Sequence, residues 1–506
     1  VGVFMGNDTF YKDTFVLTIS NLAMAIIRFV FSIILSDKLG PEGVGLYGLI
    51  MPIYDLFCCL VCGGLVAAIS KEVSSYYGTS HYKNLNKSIR VVLMFSLIWS
   101  VFITIIIFML SPIISNHIIK DGRTLYSLWV LCPALIFIAI SSVYKGYFYG
   151  VLEVKTPAII DIAEKAIRMF ITLSVINYFL LEDITSTVTA TYTSFAIGEF
   201  VSFILLYLFY KKSSLKFMDI PLNEERVENS AQLLFNVLVV AAPLAINGLL
   251  TTAISGFSTL LVPRRLVLAG LEYTAALEII GKFSGMSLTI IYFPIVIVVS
   301  MATILVPDIS KNLTRKDFTG LEIRINEVIK MCFLLGVSTM IICLTIPNNL
   351  GMLFYKRNDL SLYIRAVSIC TPFLYASSCT YGILNGLGKQ KTILISSLIT
   401  SLIQLLLIYI LIVIPEINIL GYAIALVASS VIGLIINMVE INKVVSISMN
   451  LGEFLIIICL TILTALTLKI LNIIIPDNIF IIKNVILIII GFSLFITSTF
   501  MIRKSS

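Results

Sequence analysis

Apolar runs long enough to cross a lipid bilayer recur along the whole chain, and no other feature restricts the fold as severely. At 1.5 Å per residue, a helix needs about 20 apolar residues to traverse a hydrocarbon core of ~30 Å. Lipid offers no hydrogen bonds, so a crossing segment must satisfy its own backbone, as a helix does. A lipid-facing barrel strand would be about 10 residues of alternating character. The runs here neither alternate nor stop that early. Of 506 residues, 59% are hydrophobic and 12% charged, against about 25% charged in soluble domains. Such a chain cannot cover itself with a polar surface. The sequence predicts an all-α integral membrane protein.

Counting runs between polar loops gives about fourteen transmembrane spans. They fall at 14–36, 44–69, 89–110, 124–144, 157–181, 186–210, 233–263, 281–306, 325–347, 361–384, 392–414, 420–440, 453–475 and 480–502. The first run is too long for a signal peptide and has no cleavage site, so it reads as a retained span. Basic residues gather in alternate loops. Lys71, Lys83, Lys87 and Arg90 lie in one, Lys145 and Lys155 in the next, then Lys211, Lys212 and Lys216. Lys311, Arg315 and Lys316, Lys389 and Lys391, Lys443, and the terminal Arg503 and Lys504 continue the set. Basic loops stay inside, so these loops and both termini are expected in the cytoplasm of a multi-pass protein. The net charge of +7 is thereby a topology signal. It does not point to nucleic acid.

An internal repeat organises the spans. Ser141-Ser142-Val143-Tyr144-Lys145-Gly146, with Gly150 and Lys155-Thr156, returns as Ser377-Ser378-Cys379-Thr380-Tyr381-Gly382, with Gly386 and Lys391-Thr392. The offset is 236 residues, and it also pairs Arg28 with Arg264, Gly45 with Gly281, Phe57 with Phe293 and Leu85 with Leu321. Six spans separate the copies, an even number, so both copies have the same membrane orientation. A pseudo-two-fold axis along the membrane normal and a substrate site between two lobes are expected from that arrangement. The predicted organisation is an N-terminal six-helix lobe (1–210), a cytoplasmic linker (211–230), a C-terminal six-helix lobe (231–442) and two extra C-terminal helices (443–506).

Charges inside spans are costly, about 2.5–3.5 kcal/mol each at mid-membrane on insertion scales, and they face protein or water. Arg28 lies about 21 Å into the first span at 1.5 Å per residue, past the midplane. Arg264, its repeat mate, is followed by Arg265. Guanidinium groups bind phosphate oxygens bidentately, so these arginines suit a diphosphate in a cavity. Alternatively, Arg264 and Arg265 end span seven and snorkel to headgroups. Asp161, Glu164, Lys165 and Arg168 share one helical face, with Asp161–Lys165 and Glu164–Arg168 as i,i+4 pairs. They read as cavity lining or as a self-neutralised stripe that sets helix register. Asp55 and Glu199 are isolated acids, candidates to partner Arg28 or couple to a cation. Lys282 and Arg365 add positive charge to the second lobe.

Enzyme signatures are missing. There is no phosphate-loop motif G-x-x-x-x-G-K-[ST]. Gly43, Gly45 and Gly48 form a G-x-G-x-x-G that follows no strand and opens a membrane helix, which fits close helix contact and not a dinucleotide site. The histidines, His81 and His117, are isolated, and the nine cysteines sit mostly in apolar runs. They read as packing residues, with no disulfide framework, metal site or cofactor implied.

Several segments together resemble a known family: Gly40-Pro41-Glu42-Gly43-Val44-Gly45-Leu46-Tyr47, Val262-Pro263-Arg264-Arg265-Leu266, Gly281-Lys282-Phe283-Ser284-Gly285-Met286 and Leu305-Val306-Pro307-Asp308-Ile309-Ser310. With the 382–391 segment, they resemble the stage V sporulation protein B family of spore-forming bacteria, within the multidrug/oligosaccharidyl-lipid/polysaccharide exporter superfamily. The resemblance implies two six-helix lobes plus C-terminal spans in the bacterial cytoplasmic membrane, with the outer forespore membrane as a further location. It implies a transporter and not an enzyme, acting in spore cortex and cell wall biogenesis. Its substrate would be an undecaprenyl-diphosphate-linked, lipid II-like peptidoglycan precursor, flipped by alternating access. The related flippases use cavity arginines on the diphosphate, a role that falls here to Arg28 and Arg264, with Arg265 a weaker candidate. Membrane lipid and cell-wall synthases are the other expected partners. Three alternatives stand: a flippase for another lipid-linked polysaccharide unit, a cation-coupled multidrug antiporter, and a non-transporting scaffold. Arg28 argues against the antiporter, because a cationic drug would prefer an acid-lined cavity.

Overall fold

In the computed structural model of the chain, residues 6–178, 183–215, 228–315, 317–446 and 451–505 are described. Among them every regular element is helical and none is a strand. The first half contains α1 (Gly6–Cys62), α2 (Leu65–Gly78), α3 (Tyr82–Ile113), α4 (Leu125–Gly150), α5 (Lys155–Tyr178) and α6 (Ile184–Leu215). The second contains α7 (Ser230–Leu268), α8 (Tyr273–Ile280), a π-helical turn (Gly281–Ser287), α9 (Leu288–Arg315) and α10 (Phe318–Thr345). Then come α11 (Pro347–Tyr355), α12 (Ser361–Ser368), α13 (Thr371–Gly386), α14 (Gln390–Leu411), α15 (Leu420–Asn442), α16 (Leu451–Ile474) and α17 (Phe480–Ser505).

Sequence explains the break in the first helix. Within α1, Gly40 takes φ 65°, a left-handed value that favours glycine. Pro41 follows with the fixed φ suited to starting the next helical arm. Expected span 14–36 is the first arm of this kinked helix, and expected span 44–69 covers its second arm and runs on into α2. Exposed Ile98, Met109, Phe170 and Ile473 leave apolar surface that only lipid can cover.

Among the described residues, ten helices are long and apolar enough to cross a membrane, or eleven if the bent pair α12 and α13 is one span. The expected count of fourteen is not reached on that measure. Two expected spans merge in the stretch Thr18–Gly78. Expected span 157–181 is α5, which its charges separate from the apolar set. Expected span ten is broken, with α12 and α13 meeting at 49°. Expected span 480–502 is α17, whose side chains beyond Ser493 lie outside those described.

The chain forms two compact units. The first holds residues up to Arg28 and Leu46–Leu260; the second holds Phe29–Gly45 and the residues from Leu261 onward. The units therefore part within α1 and α7, and α7 as far as Leu260 packs with the first. Most of the expected linker, residues 216–227, lies outside the described residues.

Each unit has its own core, and the cores match position by position. Ile69, Val73, Leu85, Ile89, Tyr147 and Phe148 are buried together in the first. Leu305, Ile309, Leu321, Ile325, Ile383 and Leu384, each 236 residues later, are buried together in the second. Gly150 lets α4 close on α2, since a Cβ there would fall 2.6 Å from the Val73 side chain. Gly386 does the same for α13 on α9, where the mate of Val73, Ile309, would be 2.9 Å away. The repeat seen in the sequence is a repeat in packing.

Within the second unit, two repeat-related glycines make a reciprocal contact. A Cβ at Gly45 would meet the Leu277 carbonyl oxygen at 2.2 Å, and one at Gly281 would meet the Pro41 oxygen at 1.9 Å. Leu277 is the mate of Pro41, so each glycine touches the equivalent of what the other touches. Such reciprocity is the mark of a local two-fold.

Candidate functional site

The charged residues of the first unit converge from three helices. On α5, Asp161, Glu164, Lys165 and Arg168 share one face, as their spacing requires. Lys145 reaches from α4 and forms a 2.7 Å ion pair with Asp161. Glu164, buried, pairs with Lys165 and with the Arg168 guanidinium at 3.7 Å. Glu164–Arg168 is the i,i+4 pair expected from sequence. The expected Asp161–Lys165 pair does not form; Asp161 turns to Lys145 and Lys165 to Glu164.

The third helix, α6, approaches α5 closely at Gly198, where a Cβ would fall 2.9 Å from Glu164 Oε1. That approach places the neighbouring Glu199, also buried, beside Glu164, Lys145, Lys165 and Arg168. The Arg168 guanidinium lies over the Phe195 ring, 4.5 Å from its centroid, a cation–π contact. Three cations and three acids thus form one network, neutral when all are ionised. Burying these charges singly is prohibitive; burying them paired is feasible.

Arg28 and Asp55, on the two arms of α1, are both exposed. Each lies within electrostatic range of the other. Tyr47 is within electrostatic range of Arg28, Asp55 and Arg168 alike. The Tyr47 ring stacks on Tyr192 at 4.9 Å, and the Tyr192 hydroxyl donates to the Tyr47 carbonyl at 2.7 Å. Among the described residues, no acid forms an ion pair with Arg28.

The candidates in the second unit are dispersed. Arg264 is half-buried on α7. Arg265 places its guanidinium 3.2 Å from the centroid of the Tyr409 ring of α14. Lys282, in the π-helical turn, pairs with Asp359 at 2.8 Å and with Glu278 at 3.5 Å. Arg365 is exposed on α12.

Sequence reasoning missed Lys145 as a member of the network. Its position near a basic loop made it a topology marker, yet it belongs to α4 and its partner is 16 residues away on the next helix. The signal was Glu199, an acid on α6 that leaves the self-neutralised α5 stripe one cation short.

Long apolar helices built as a repeat, with a buried charge network in the first unit, define a polytopic helical membrane protein. The chain belongs to the polysaccharide biosynthesis protein family, whose model matches residues 10–313. The MatE family model matches residues 243–410. Stage V sporulation protein B of Bacillus subtilis (strain 168) is 26% identical over 451 residues, 89% of this chain and 87% of that one. Lipid II flippase MurJ of the same organism is 21% identical over 418 residues, 78% of this chain and 76% of that one. A solved structure of lipid II flippase MurJ in an inward closed conformation superposes with TM-score 0.69 at 16% identity, covering 96% of this chain and 99% of that one. An inward-facing multidrug resistance MATE family transporter of the MOP superfamily gives TM-score 0.64 at 14% identity, covering 84% and 98%.

Proposed function

We propose that the chain is a flippase that carries an undecaprenyl-diphosphate-linked, lipid II-like peptidoglycan precursor across the bacterial cytoplasmic membrane by alternating access, in cell wall or spore cortex biogenesis. The observation that carries this reading is Arg28, an exposed guanidinium in a membrane helix with no ion-paired acid among the described residues. A fixed cation of that kind compensates a diphosphate, whose transfer through lipid alone costs far more. Arg28 and Arg264 are assigned to the diphosphate. Arg265, already stacked on Tyr409, is the lesser contributor. The family match and the likeness to stage V sporulation protein B support a lipid-linked saccharide as the cargo. On this reading the chain is a transporter and not an enzyme.

The repeat supports two six-helix lobes, 1–210 and 231–442, with residues 443–506 as an added hairpin, fourteen spans in all and both termini in the cytoplasm. The outer forespore membrane fits as a location through the sporulation relative. Cell-wall synthases are the proposed protein partners. The α5 network, with Glu199 and Asp55, is assigned to the cavity wall or to ion coupling.

Reconstitution in liposomes with lipid II tests the proposal. Arg28→Ala and Arg264→Ala should each slow translocation at least about tenfold, the loss expected when a charge-assisted bidentate contact of ~1.5–3 kcal/mol goes. Unchanged rates in both variants would remove the diphosphate assignment. The MatE match over residues 243–410 favours one second reading, a cation-coupled drug antiporter. Heightened drug susceptibility in a deletion strain with intact lipid-linked precursor turnover would support it instead.

A further inference from the structure

The segment after α11 makes a set of contacts that the transport reading does not use. It leaves α11 through Lys356, at φ 53°, in a turn closed by the Arg357 amide donating to the Gly351 carbonyl at 3.2 Å. A Cβ at Gly351 would sit 2.6 Å from the Arg357 carbonyl oxygen, so the turn is tight and its shape is fixed. On one side it meets the second part of α1's first arm, which packs in the same unit. The Phe354 ring sets its edge on Phe29 at 5.1 Å, and the Tyr355 hydroxyl and Ser32 Oγ are 3.3 Å apart. On the other side Asp359 accepts from Arg357 at 2.9 and 2.7 Å and pairs with Lys282 of the π-helical turn. Residues 354–359, with Lys356 also paired to Asp37 at 3.5 Å, therefore form a strap bracing an arm that itself donates from Ser32 Oγ to the Gly285 carbonyl at 3.2 Å and stacks Phe29 on Phe293 at 4.6 Å.

The strap differs in kind from the core contacts around it. Apart from the buried Tyr355, its contacts are an edge-on ring contact and partly exposed ion pairs, each worth little by itself. Apolar cores of the sort that holds α4 to α2 do not open in parts. A strap of weak, polar contacts at an element's end does, and segments that move belong to the low-stability part of a fold. Its partner in the π-helical turn is a further sign, since such turns are frequent where helices do functional work.

We propose that residues 354–359 are a latch, with Asp359 at its centre, that opens to free the arm Phe29–Leu39 during the working cycle. The inference rests on the transport reading for what the opening serves, but the opening itself is measured separately. Ser36 is buried on that arm and touches no strap residue among the contacts named. In a chain whose nine native cysteines are replaced by serine and that carries Ser36→Cys, a membrane-impermeant maleimide should react slowly, and about fivefold faster when Asp359→Ala removes the ion pairs. Asp359→Glu should stay near the parent. Without any change at Asp359, raising salt from about 0.05 M to 1 M should speed the same reaction by screening the pairs. Equal rates in the parent, in Asp359→Ala and across the salt range would overturn the latch. As a second arm, Ser32→Cys/Tyr355→Cys bridged by a short bis-thiosulfonate should stop lipid II translocation until a reductant is added. Full translocation by the bridged protein would also overturn it. No translocation even before bridging would sink the transport reading, and the labelling rates would still decide the latch.

Discussion

Lys145 and Asp161 show how one residue pair links α4 to α5. Both side chains are partly exposed, at 24% and 21%, so neither is free of the protein nor sealed from water. Lys145→Ala leaves a carboxylate in a low-dielectric setting without its partner, and this should cost roughly 1–3 kcal/mol. Lys145→Ala/Asp161→Ala should recover much of the loss, because two neutral side chains need no pairing. Thermal unfolding in detergent of the single and double variants measures this; a double variant less stable than both singles would contradict it.

At the same scale, Asp359 gives a sign-defined pH effect. Its hydrogen bonds from Arg357, together with the Lys282 ammonium, hold the carboxyl well below the usual carboxylate range. A group depressed in the folded state contributes stability that is present above its unfolded value, about 3.9, and is lost as pH falls through the folded one. Acidification below about pH 4 should therefore lower the melting temperature of the native chain more than that of Asp359→Asn. Parallel melting curves for the two proteins in acid would count against the pairing.

Among elements, the meeting of α1 with α8 and the π-helical turn depends on two hydrogen atoms. A Cβ at Gly281 would enter the Pro41 carbonyl oxygen, which is backbone and cannot rotate away. Gly281→Ala should destabilise by about 1–3 kcal/mol, the range for overpacking a tight contact. Gly48→Ala, on α1, where a Cβ meets nothing within 4 Å, is the control. Equal melting temperatures for the two variants would contradict the close crossing. Sequence made this seam legible as glycines that permit close helix contact, and it made the helices legible because apolar length is a local property. Breaks such as the bend between α12 and α13, or the division of α1 at Arg28, were not legible. They depend on which distant helix each turn packs against, and local hydropathy does not record that.

For the whole molecule, the repeat offset was the most informative signal, and it is preserved where packing alone sets the residue. The core pairs Val73 with Ile309 and Leu85 with Leu321 keep size and polarity. The charge network keeps neither. Glu164, Lys165 and Arg168 have Thr400, Ser401 and Gln404 as mates, and packing pairs Glu164 with Thr400, although the offset on the facing helices is one residue shorter (433 − 198 = 235). Gly198 of α6 packs on Glu164 as Gly433 of α15 packs on Thr400. One helix crossing is thus built twice, once with ions and once without, and the neutral copy shows that such a crossing can be packed without ions. Glu164→Thr/Lys165→Ser/Arg168→Gln, combined with Glu199→Leu from the residue after Gly433, should accordingly fold with a melting temperature near the parent. Replacing a buried ion network by neutral groups of similar shape is often neutral or stabilising. The same variant should translocate lipid II at least about tenfold more slowly if the network serves transport, a loss of ~1.4 kcal/mol or more in the barrier. The two readouts separate the explanations. A well-folded variant with normal translocation would make the network a register device for α4, α5 and α6. A variant that fails to fold would mean that the first unit cannot use the second unit's solution, despite sharing its core.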